Sequence, residues 1–121
     1  QMFLGVQDFS AVAFSFRTSN AAISMGGWHL FSATYDGRGG AAAGNGMILY
    51  EDGVVLASGA TNDPTYVAME NTAGVQDLFV NAAADWFSTS AGFLIVWSGV
   101  LSAAQFLSLK AAINTYYGLT L

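Results

Sequence analysis

Few residues in this chain of 121 can do acid–base or metal chemistry: eight carboxylates, one histidine and no cysteine. Hydrolysis of a glycosidic bond needs two carboxyl groups flanking the scissile bond. The only glutamates are Glu51 and Glu70. Glu51 and Asp52 are adjacent, so on an extended strand they point to opposite faces. A nucleophilic triad needs a histidine beside an activated serine or cysteine, with an acid to orient it. His29 is the sole histidine, and no G-x-S-x-G stretch surrounds any serine. The plain reading of His29 is a strand residue beside a core tryptophan. Together these patterns point away from an enzyme.

Binding chemistry has more to work with. Calcium accepts oxygen ligands alone, and Asp36, Asn45 and Asp52 lie near loops at the ends of expected strands. They are the candidate calcium ligands. The alternative is turn chemistry, because Asp and Asn before glycine stabilise a bend. Without cysteine there is neither a disulfide framework nor a thiolate zinc site. A glycan site needs an exposed aromatic face with polar neighbours. Trp86, with Asp85 before it, is the first candidate and Tyr66 the second; core packing is the competing role for Trp86. Trp28 and Trp97 fall inside strong strand patterns and are expected in the core.

The elements that must position these groups follow from composition and period. Apolar residues make up 54% and charged residues 9%, with a net charge of −5. Disorder needs the opposite balance, and a coiled coil needs charged flanking positions. Arg17, Arg38 and Lys110 are the only basic residues, too few to neutralise a run of phosphates. Nucleic acid is therefore excluded as a partner. Residues 86–109 carry no formal charge, but Ser98-Gly99 interrupts them, and 93–97 reads as a β-branched and aromatic strand. A membrane span is not expected. The first residues carry no basic, apolar leader pattern. Because the chain starts at Gln1, we read it as one domain, residues 1–121, of mature or partial sequence, the C-terminal part of a longer chain.

Period-two alternation dominates. Val12, Phe14 and Phe16 face one way and Ala13, Ser15 and Arg17 the other. Strands are expected over 28–35, Met47–Glu51, 54–58, 78–81 and 93–97. The last is apolar on both faces, so it should be central or covered. Asp52-Gly53 supplies the positive φ values of a tight two-residue turn and marks a hairpin. Residues 38–46 (RGGAAAGNG) read as a small-residue loop with nothing to build a core. Pro64 suits a crossing at a sheet edge. At the C-terminus the period changes to that of a helix over 102–117. Ser102 and Gln105 form a capping box, Leu101 and Phe106 stand at staple positions, and Gly118 falls just past the end. Phe106, Leu109 and Ile113 should be buried.

Three segments in order resemble one family. Residues 28–37 (W-H-L-F-S-A-T-Y-D-G) are similar to the W-H-x-V-A-x-T-Y-D-G strand of LamG-like domains, in the concanavalin A-like lectin/glucanase superfamily. Residues 49–55 (L-Y-E-D-G-V-V) resemble its L-Y-V-D-G-V hairpin. Residues 94–97, followed by L-S-A-A-Q at 101–105, resemble its late strand and A-L-S-A-A-E helix start. Gly92-Phe93 replaces the family's acidic pair, and the family has opening strands before the first one expected here, so that either the jelly roll is trimmed or those strands lie outside this chain. The resemblance implies an all-β fold, a concanavalin A-like jelly-roll β-sandwich of antiparallel strands with one C-terminal helix. It implies a glycan-binding, adhesion or structural module of a secreted, cell-surface or phage virion protein. With no catalytic set and so little charge, the expectation is a structural and interaction module packed against other subunits, without a cofactor unless calcium binds. Such a surface suits burial against neighbours. A carbohydrate-binding module is the alternative.

Overall fold

The computed structural model describes residues 1–24, 26–69, 95–96 and 98–121. Among these, strands β1 (Phe3–Asp8), β2 (Ala13–Ser19), β3 (Phe31–Tyr35), β4 (Met47–Glu51), β5 (Val54–Val55) and β6 (Ser58–Thr61) precede a single helix, α1 (Ala103–Tyr117). They form two three-stranded antiparallel sheets, ordered β1-β2-β6 and β3-β4-β5. Among the described residues the fold is mostly β, with one C-terminal helix.

The hairpin at Asp52-Gly53 forms as its sequence dictates. Asp52 has φ 51° and Gly53 φ 87°, the paired positive values of a type I′ turn. Glu51 faces Val54 and Tyr50 faces Val55. The expected strand over 54–58 is divided, however. Val54–Val55 stays with β4, whereas Ser58 begins β6, which pairs with β2 in the other sheet.

The two sheets meet through one cluster of Val6, Ala13, Ala43, Met47 and Tyr66, with Leu4 and Tyr35 packed against it. Alternation along β2 turns its small residues inward: Ala13 and Ser15 are fully buried, while Phe14 is 40% exposed. Small side chains here leave room for Met47, Leu49 and Tyr66, all buried. Arg17 shares the inner face and donates to the Ser58 hydroxyl (2.7 Å) and carbonyl (3.2 Å), which ties β2 to β6.

The glycine- and alanine-rich loop contributes to this core, contrary to expectation. Residues Ala43–Gly46 form a 3₁₀ turn in which Ala43, Gly44 and Gly46 are buried. Small residues are required because the backbones approach so closely. A Cβ on Gly44 would stand 2.9 Å from the Phe16 carbonyl oxygen.

Helix α1 has both ends closed. The Gln105 amide donates to the Ser102 hydroxyl (3.3 Å), and the Ser102 amide donates to Gln105 Oε1 (2.8 Å). Gly118 is left-handed at φ 65°, and its amide donates to the Asn114 carbonyl. The helix buries less than expected: Ile113 is buried, but Phe106 and Leu109 are only half-buried. Its contact with the sheets runs through Phe106, stacked on Tyr50 at 6.2 Å, and Lys110, whose Nζ donates to the Asp52 carbonyl at 2.7 Å. No helix among the described residues is long and apolar enough to cross a membrane.

Two core expectations are corrected. Trp28 is 53% exposed, because β3 begins only at Phe31 and the preceding Gly26 and Gly27 both take positive φ. Of the expected strand over 93–97, Ile95 and Val96 are in no strand, and Val96 is 84% exposed. Ile95 instead leans on α1, sharing a shallow hollow with Ile113 and Tyr116. The rest of that segment, Trp97 included, and the strand over 78–81 lie outside the described residues.

Candidate functional site

The hairpin turn also ends β3. The Asp52 amide donates to the Leu30 carbonyl (2.9 Å) and continues the ladder, but the Leu30 amide turns to Asp52 Oδ1 (2.8 Å). This places the chain before β3 against the turn, with His29 beside Glu51 and Asp52. His29 Nδ1 lies 2.8 Å from Asp52 Oδ2 and 3.7 Å from Glu51 Oε1. The expectation that Glu51 and Asp52 diverge is therefore overturned. It assumed an extended strand through both, and the left-handed turn at Asp52 swings its carboxylate back beside Glu51. One donor atom from each of the three residues falls within 4.8 Å of the others.

Each side chain is held from behind by backbone. His29 Nε2 donates to the Gly26 carbonyl (3.2 Å), and Glu51 Oε1 accepts from the Ser24 amide (2.9 Å). The hydrogen bond to Asp52 raises the His29 pKa above its ordinary value, against the opposing cost of burial. Burial works to raise the Asp52 pKa, but the Leu30 amide, His29 and the Lys110 charge outweigh it and hold the carboxyl low. The three side chains keep 13–26% of their surface in solvent. Such a group can clasp two chain segments by charge, or exchange a proton for a cation. Sequence reasoning missed it because residues 29 and 51–52 meet only through the β3–β4 register, in which Phe31 faces Glu51.

The candidate calcium ligands do not converge. Asp36 and Asp52 sit at opposite ends of the β3–β4 ladder, separated by roughly 20 Å of strand. Asp36 instead binds the Arg38 side chain (2.8 Å), which lowers its pKa. Asn45 accepts from the Asn62 amide (3.1 Å). Both serve the local loop.

Tyr66 is not a sugar platform. It is 2% exposed and sits in the shared core, where burial pushes its hydroxyl up to about 12. Trp86, Asp85 and Glu70 lie outside the described residues.

A second surface feature is aromatic. Phe3, Phe14 and Phe16 form a triangle of rings on the outer face of the β1–β2 pair, with centroids 5.2–5.7 Å apart. Phe3 is 52% exposed, and Phe9 and Val12 at the adjoining turn are exposed as well. No family model, curated protein or solved structure matches this chain.

Proposed function

We propose that this chain is a non-enzymatic interaction module of a larger extracellular assembly, packed against a second copy of itself through the outer face of β1 and β2. The observation that carries this reading is the triangle of Phe3, Phe14 and Phe16. A strand face that looks at water normally carries polar side chains. Here it carries three phenylalanines, in a chain whose charged fraction is too low to coat its outside. Phenylalanine has no polar handle, so this face suits a dry protein contact more than a sugar. The carbohydrate-binding alternative loses Tyr66 to the core.

The architecture we propose is the concanavalin A-like jelly roll of LamG-like domains. Two antiparallel sheets sharing a core, the Asp52-Gly53 hairpin and the capped C-terminal helix all support it. That resemblance supplies the setting, a phage virion component such as a capsid decoration or tail-associated protein. A specific contact of this kind buries at least about 1,000 Å² in total, so it extends beyond the three rings to the apolar turn at Phe9 and Val12. Light scattering across concentration, paired with a glycan array, tests it. Self-association without glycan binding is expected; a monomer that binds glycans would replace this reading with the alternative.

A further inference from the structure

The His29–Glu51–Asp52 group belongs to neither the proposed contact face nor the core. We propose that it is a binding site for a divalent transition-metal ion, with zinc as the ion its donors favour.

The donor chemistry selects the ion. One imidazole and two carboxylates suit zinc, whereas calcium and magnesium call for oxygen ligands alone. Three protein ligands with one position open to water is an arrangement zinc adopts readily. Here the solvent-facing side of the group leaves room for that water, since each side chain keeps part of its surface exposed.

The geometry is close to what the ion needs. Zinc holds its nitrogen and oxygen ligands at about 2.0–2.2 Å, which sets tetrahedral donors roughly 3.4 Å apart. His29 Nδ1 is 3.7 Å from Glu51 Oε1 and 2.8 Å from Asp52 Oδ2. The shorter separation is that of a hydrogen bond. An ion replacing that proton must open it by about 0.6 Å, within reach of a carboxylate rotation.

The outer supports are those a metal-ligating set requires. A ligating histidine donates its second ring N–H to a carbonyl or carboxylate, and this fixes which nitrogen faces the ion. His29 Nε2 is held by the Gly26 carbonyl, which leaves Nδ1 as the ligand. Glu51 Oε1 is oriented by the Ser24 amide and Asp52 Oδ1 by the Leu30 amide, so Asp52 Oδ2 stays directed at the imidazole. Tyr50 and Glu51 point to opposite faces of β4, so α1, stacked on Tyr50, does not cover the Glu51 side. Lys110 approaches the turn from α1 and binds the Asp52 backbone carbonyl, not its carboxylate.

The test is titration of the whole chain with zinc chloride by calorimetry, with calcium chloride as the comparison ion. The chain has no cysteine and no second histidine, so no other imidazole and no thiolate competes for the ion. We expect one zinc per chain and no comparable calcium binding. Affinity should fall at least tenfold in Glu51→Gln, which keeps shape and loses charge, and in Asp52→Asn, which also tolerates the left-handed turn. Cobalt(II) should give visible d–d bands in the parent chain and lose them in His29→Gln. If zinc fails to bind at 100 µM (about −5.5 kcal/mol), or binds equally to the parent chain and Glu51→Gln, the group is a charge clasp between 24–30 and the hairpin, and the proposal is wrong.

Discussion

The ring of Phe14 lies across the backbone of Gly5, so close that a Cβ on Gly5 would stand 2.5 Å from its Cζ. Glycine at this position lets the ring lie down between Phe3 and Phe16 instead of standing off the sheet. Because Phe14 is 40% exposed, it can move aside at little cost to the fold. Gly5→Val should therefore leave stability within about 1 kcal/mol of the parent. It should weaken self-association tenfold or more, measured by sedimentation equilibrium beside urea unfolding.

Val12 sits in the β1–β2 turn at φ 54°, a left-handed conformation that a β-branched residue takes only under strain. Its side chain is 82% exposed, so packing within the chain does not compensate. Val12→Gly should raise stability by about 1 kcal/mol. If Val12 contributes to the contact between copies, the same change weakens association while the fold gains. Thermal melts and light scattering on one sample separate the two effects.

Gly53 and Gly118 share a left-handed backbone but not their surroundings. A Cβ on Gly53 would lie 3.0 Å from Phe106 Cε1, whereas nothing lies within 4 Å of one on Gly118. Gly118→Ala should cost about 1 kcal/mol for backbone strain alone, and Gly53→Ala about 1–2 kcal/mol. Phe106→Ala should remove the excess. Equal losses at both glycines would mean that the helix does not rest on the hairpin.

Asp8 joins the β1–β2 turn to residues 67–68. Its carboxylate accepts from the Ala11 amide (3.0 Å), the Ser10 hydroxyl (2.9 Å) and the Val67 amide (3.2 Å). The Ala11 bond, first among these, holds its pKa below the usual value against the opposing cost of burial. A depressed folded pKa gives stability that is fully present above the unfolded value, near 3.9, and is lost as the pH falls through the folded value. Stability should therefore drop below about pH 4, and Asp8→Asn should flatten that slope. A parallel slope in the variant would assign the acid sensitivity to other carboxylates.

What the sequence made legible was local chemistry. Asp52-Gly53 dictates its own turn, and Ser102, Gln105 and Gly118 close α1 without help from distant residues. What it hid depends on chain segments meeting. Ala43 looks like loop filler until the close approach of β2 and the 3₁₀ turn makes smallness a requirement. Tyr66 looks like a surface aromatic until the inward small residues of β2 leave space for it. The His29 cluster was hidden twice over, by a register that only the folded sheet fixes and by a turn dihedral that reverses the expected divergence of Glu51 and Asp52.

Packing of one copy on another through β1 and β2 is tested most directly by multi-angle light scattering of the intact chain from micromolar to millimolar concentration, beside Phe14→Ser. That substitution places a polar group on the outer face and removes nothing from the core. The mass of the parent should rise with concentration to at least that of a dimer, while Phe14→Ser stays near 12.6 kDa and still unfolds cooperatively, at a midpoint lowered by the lost ring contacts. A parent chain that stays monomeric to millimolar concentration, or a variant that associates as strongly as the parent, would contradict the account.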